Sequence, residues 1–186
     1  MDNLAAFFLL DPEVCFLNHG SYGACPRPVF ERYQRWQLQL ERQPVAFLDP
    51  ARGLSGWMRD ARVALATELG ADPDDLVGVM NATYGLNIVA QSLDLQPGDE
   101  ILTTDHEYAA LEKTWAYVCR KTGAKVVQVT VPLPLTEEAQ FTDAVMAGFT
   151  DRTRVLFLSH ITSATALLFP IERVVQAARD RGVYSV

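Results

Sequence analysis

Apolar and polar positions follow one rhythm in the first seventy residues and another in the remainder. Over 27–42, Val29, Phe30, Tyr33, Trp36 and Leu40 fall near helical spacing, which predicts an amphipathic helix. Pro26 sits where a helix opens, and Pro44 is expected to end it. A loop through Phe47-Leu48-Asp49-Pro50 leads to a second helix over 53–69. Its stripe is Trp57, Met58, Ala61, Leu65 and Leu69, with Gly70 as the C-terminal stop. Residues 1–25 are rich in turn formers and read as an irregular arm.

From residue 76 the pattern becomes short apolar runs alternating with amphipathic stretches. Strands are predicted at 76–80, 100–103, 125–131, 154–159 and 183–186. Helices are predicted at 84–93, 108–122, 137–149 and 171–181. Several runs are unbroken Val, Ile, Leu and Phe, as expected when helices cover both faces of a parallel sheet. The fold class is therefore α/β, a mostly parallel sheet flanked by helices, with an N-terminal helical arm. The expected division is 1–70 for the arm and its helices and 71–186 for the α/β part.

Composition narrows the function. The chain has 186 residues, 49% of them hydrophobic, and a net charge of −7, and it contains no basic run. That disfavours nucleic acid and anionic membranes as partners. Cys15, Cys25 and Cys119 lack metal-ligand spacing and there are three histidines, so neither a metal site nor a disulfide framework is expected. Leu4–Leu10 is too short for a span and lacks a basic flank. A cytoplasmic protein is the expectation.

In open α/β sheets, ligands bind beyond the carboxyl ends of the strands. Three such ends carry polar turns. Asn81-Ala82-Thr83-Tyr84-Gly85 follows the first apolar run. Small residues, free amides at a helix start and a hydroxyl suit a phosphate, although Asn81 or Thr83 as a plain N-cap explains the same residues. Asp105-His106-Glu107-Tyr108 follows the second run. A histidine there can lie against a planar ligand, or Asp105 can merely cap a helix. Ser159-His160-Ile161-Thr162-Ser163-Ala164-Thr165 follows Val155–Leu158 and concentrates donors and acceptors that need partners if buried. No G-x-G-x-x-G, P-loop, G-x-S-x-G or H-E-x-x-H pattern occurs, which disfavours a dinucleotide- or ATP-binding domain.

In this order, the three turns resemble the class V aminotransferase family, fold-type-I enzymes dependent on pyridoxal 5′-phosphate (PLP). The isopenicillin N epimerase-like branch is suggested by Phe16-Leu17-Asn18-His19-Gly20-Ser21-Tyr22-Gly23, by Pro44-Val45-Ala46-Phe47 and by Asp105-His106-Glu107-Tyr108. The resemblance covers about residues 14–186. It implies that Asn81, Ala82 and Thr83 hold the PLP phosphate and that His106 stacks on the pyridine ring as the catalytic histidine. It places Ser163 where desulfurase relatives carry an Asn near the 3′-oxygen, a departure that leaves its role open. Asn18, His19, Gly20 and Ser21 would border the substrate pocket.

The resemblance also implies residues beyond Val186: an Asp for the pyridine nitrogen and, later, the Schiff-base lysine. Lys113, Lys121 and Lys125 follow no strand end where that lysine belongs. The chain thus reads as the N-terminal portion of a homodimeric enzyme acting on an amino acid by epimerase, lyase, desulfurase or transaminase chemistry. By itself it is expected to be inactive. The competing reading is a non-catalytic module that binds a phosphate ligand or a partner and derives from such an enzyme by truncation.

Overall fold

The computed structural model describes residues 4–20 and 22–186, and it divides into two compact units, 1–77 and 78–186.

The first unit is helical. After a short 3-10 turn at Leu4–Phe7, it contains α1 (Arg27–Arg42), α2 (Pro44–Leu48) and α3 (Ser55–Leu69). Pro26 is the N-cap of α1. Pro44 ends that helix as expected but also opens α2, because proline is tolerated in a first turn, where no amide is needed. The expected loop at 47–50 is therefore largely helical, and a π-turn at Pro50–Leu54 leads on to α3. Gly70 caps α3 in the left-handed conformation, φ 65°. Trp57 packs on Phe47 at 4.6 Å and on Trp36 at 6.1 Å between ring centroids. Ala66 is the one buried hydrophobic residue among those described in this unit.

The second unit alternates helix and strand: α4 (Ala82–Ser92), β1 (Glu100–Thr104), α5 (Ala109–Thr122), β2 (Lys125–Val129), α6 (Glu138–Gly148), β3 (Thr153–Leu156), α7 (Glu172–Asp180) and β4 (Tyr184–Ser185). All pairings in the sheet are parallel and the strand order is β2-β1-β3-β4. The central strand β1 is buried along its whole length, including the polar Glu100, Thr103 and Thr104 around Ile101 and Leu102. Its alternate residues serve two cores. Ile101 packs with Ala90, Leu111, Trp115 and Val118 from α4 and α5. Leu102 packs with Phe141, Val145, Val174 and Ala178 from α6 and α7. A Cβ on Gly148 would meet Leu102 Cδ1 at 2.5 Å, so the end of α6 approaches the sheet as only glycine allows.

One predicted strand is corrected. Residues 76–80 form no strand: they pair with neither sheet edge, and Val77 and Met80 are 82% and 78% exposed. A strand exists through its ladder, and a Val-rich run without a neighbour remains merely extended. The Asn81 turn therefore follows an unpaired segment.

Candidate functional site

The strand order creates a topological switch point. From β1 the chain moves outward to β2, then returns to the opposite side of β1 as β3. The crevice between the carboxyl ends of β1 and β3 is where such sheets receive ligands. The second and third polar turns of the sequence leave from those two strand ends, and the structure joins them.

Glu107 makes the tightest junction. Its carboxylate accepts hydrogen bonds from the Ser159 hydroxyl at 2.6 Å, the Ser159 amide at 3.0 Å and the Thr104 hydroxyl at 3.1 Å. It is 9% exposed. A carboxylate held by several donors fixes its turn firmly, because each bond to a charged acceptor is stronger than a neutral one.

His106 makes the second junction. Nε2 lies 2.9 Å from the Val131 carbonyl and Nδ1 lies 3.4 Å from the Thr165 hydroxyl. A carbonyl only accepts, so the network assigns the ring proton to Nε2. Nδ1 then accepts from Thr165, Thr165 accepts from Thr162 at 2.7 Å, and Thr162 accepts from the Leu167 amide at 2.9 Å. Every hydroxyl in this chain donates once and accepts once. Asp105 completes the turn by accepting from the Val131 amide at 3.0 Å and stands 3.6 Å from Nε2. The imidazole is 7% exposed and meets Phe169 edge-on, with centroids 5.7 Å apart. Both nitrogens are thus committed within the ring plane.

At the first turn, Asn81 caps α4 by accepting from the Tyr84 amide at 2.8 Å. The amides of Ala82 and Thr83 and the Thr83 hydroxyl have no hydrogen-bond partner among the described residues, as expected of the first turn of a helix. Asn81 and Ala82 are exposed and Thr83 is half-buried. Ser163 is exposed in the turn after β3 and makes no hydrogen bond among the described residues, whereas its neighbours Thr162 and Thr165 carry the network. Asn18, His19 and Gly20 belong to the first unit. The His19 ring rests against Phe8 and Phe16 at 5.2 and 4.8 Å, and a Cβ on Gly20 would meet nothing within 4 Å. Ser21 lies outside the described residues.

The sequence reading missed Glu107, Asp105, Thr162 and Thr165 as site builders. The available signal was the density of polar residues after two buried strands. What was hidden is that key partners are distant in sequence, 52 residues for Glu107 with Ser159, 59 for Thr165 with His106 and 26 for Asp105 with Val131. No group of metal-ligating side chains occurs among the described residues, and no described helix is long and apolar enough to cross a membrane. Burial raises the Cys119 thiol above its ordinary value.

Comparison with known proteins gives consistent matches. The family model described as "Aminotransferase class-V" matches residues 26–186. Isopenicillin N epimerase from Streptomyces clavuligerus is 37% identical over 96% of this chain and 44% of its own length. The epimerase from Amycolatopsis lactamdurans is 40% identical over 95% of this chain and 44% of its own. Among solved structures, the cysteine desulfurase CsdA from Escherichia coli superposes with a TM-score of 0.81 at 27% identity, covering 97% of this chain and 46% of that one. C-DES with glycine covalently linked to its PLP cofactor superposes with a TM-score of 0.78 at 22% identity, over 91% of this chain and 44% of that one. The chain spans somewhat under half the length of these relatives.

Proposed function

The chain belongs to the class V aminotransferase family, and from that premise we propose that it forms the N-terminal part of a PLP-dependent enzyme acting on an amino acid. The observation that carries this reading is the joining of the β1 and β3 turns at the switch point through Glu107 and His106. The residues present fit such a cofactor at its phosphate end: the unpartnered amides of Ala82 and Thr83 and the Thr83 hydroxyl face no internal competitor. Asn81 keeps those amides aligned by capping the helix. When bound, PLP supplies the electron sink that makes the α-proton of an amino acid labile.

In this reading His106 orients and does not transfer protons. Its nitrogens are occupied by Val131 and Thr165, so its contribution to a planar ligand is the ring face. Glu107 acts through Ser159 by setting the position of the turn after β3. Ser163, exposed on the same turn, is the candidate contact for the ligand's 3′-oxygen.

The substrate is an amino acid. Among the family's outcomes, the epimerase relatives favour epimerisation over the lyase, desulfurase and transaminase alternatives. In this reading the full-length protein is a homodimer, and its compartment is the cytoplasm. None of Lys113, Lys121 or Lys125 is the Schiff-base lysine: two lie in α5 and the third opens β2.

The test is PLP binding by this chain, followed by borohydride reduction and peptide mapping. We expect saturable binding that Thr83→Ala weakens about fivefold, through loss of one hydrogen bond. No lysine should become labelled. A pyridoxyl group fixed to any of the three lysines overturns the lysine assignment, and binding unaffected by Thr83→Ala overturns the cradle. Retained phosphate-end affinity with no activity on restoring full length would favour the non-catalytic module.

A further inference from the structure

A concavity lies between α5 and the sheet, beside the carboxyl ends of β1 and β3, and borders the switch-point junction through Glu107. It has a volume of about 300 Å³ and is lined by Thr103, Glu107, Glu112, Trp115, Ala116, Val126, Gln128 and Phe157. That volume is at the lower end of small-molecule sites. The local fold explains its shape. Thr103 follows Ile101 on the face of β1 that meets α5, and its register partner is Gln128 on the edge strand β2. Glu112, Trp115 and Ala116 lie three and four residues apart on α5, hence on one helix face. Trp115 and Phe157 form an aromatic floor, their centroids 5.5 Å apart.

Three observations point to a ligand of definite charge. Thr103 is 4% exposed, and its hydroxyl has no hydrogen-bond partner among the described residues. A hydroxyl buried unpaired is costly, and Thr103 is one of the residues that line the concavity. Both charged residues of the lining, Glu107 and Glu112, are acidic, and neither lies within ion-pair distance of a cationic side chain among the described residues. Glu107 is satisfied only by neutral donors. The floor, built from Trp115 and Phe157, is apolar and suits an uncharged body beside that charge.

We propose that this concavity binds a small primary ammonium carrying a short apolar body, an amine rather than an amino acid. The ammonium donates to Thr103 Oγ1 and sits in the field of Glu107 and Glu112, while the alkyl portion covers Trp115 and Phe157. A zwitterion is rejected because its carboxylate would enter a lining that holds two acids and no base. The lining contains none of Asn81, Ala82 and Thr83 of the proposed phosphate cradle and shares only Glu107 with the β1–β3 junction.

The test is titration of the isotope-labelled chain with n-butylammonium at constant ionic strength, followed by two-dimensional NMR. The controls are 1-butanol and zwitterionic norvaline. We expect saturable shifts at the Thr103 and Gln128 amides and the Trp115 indole, with a dissociation constant on the order of millimolar for so small a ligand. Thr103→Val should weaken binding about fivefold, and Glu112→Gln, at an exposed and structurally tolerant position, about threefold. The proposal is overturned by the absence of a saturable response. It is equally overturned by equal responses to butanol or norvaline, or by affinity that neither variant changes.

Discussion

At the scale of single residues, Glu107 organises the candidate site although nothing in its immediate sequence marks it. An acid at the start of a predicted helix reads as a solvated residue that favours the helix dipole. In the folded chain it is 9% exposed and binds the Ser159 amide and hydroxyl. Replacing it with Ala leaves buried donors unpaired on two elements, so Glu107→Ala should lower stability by about 3 kcal/mol. Glu107→Gln keeps an acceptor and should cost about half as much. Urea unfolding midpoints of the three proteins check this order. Equal midpoints for Ala and Gln would mean that the bonds to Ser159 contribute little. His106 differs in that the sequence singled it out, and the structure buries it between two strand ends. The sequence did not tell that its two nitrogens are tied to Val131 and Thr165, which leaves the ring face as the part able to meet a planar ligand.

At the scale of elements, local signals were read well wherever a local cause decides the structure. The ends of α3 and α5 follow from Gly70 and Gly123, both left-handed caps, at φ 65° and 80°. The strands β1 and β3 follow from short apolar segments, Ile101–Leu102 and Val155–Leu158. The failure at 76–80 has a non-local cause, since no periodicity reveals whether a ladder partner exists. Helix α4, which starts directly after that segment, permits a clean separation of capping from ligand binding. Asn81→Ala removes the bond to the Tyr84 amide and should cost about 1 kcal/mol. Asn81→Asp retains the cap and places a negative charge at the helix start, so stability should hold while affinity for PLP or inorganic phosphate falls. Thermal unfolding by circular dichroism, set beside phosphate titration, reads the two effects separately. If the Asp variant binds phosphate as well as the parent, the start of α4 is a structural cap and not a cradle.

At the scale of the whole molecule, the two units differ sharply in how much apolar surface they bury. Every buried hydrophobic residue except Ala66 lies in 78–186 among the described residues. In the first unit Val29, Tyr33 and Trp36 of α1 are 57%, 58% and 36% exposed, although the sequence gives that helix a clear apolar stripe. Burial of apolar area is the main source of stability, and segments with few buried contacts open at low free-energy cost. Native-state hydrogen exchange should therefore separate the units. Amides in the middle of α1 and α3 should exchange at least about 100-fold faster than those of β1 and α5. The comparison uses helix interiors and the buried strand, so fraying of termini does not enter. Protection of α1 equal to that of β1 would require its Val29–Tyr33–Trp36 stripe to be covered in solution. Repeating the exchange over a range of protein concentrations then distinguishes coverage by a second copy, which strengthens with concentration, from coverage within one chain, which does not.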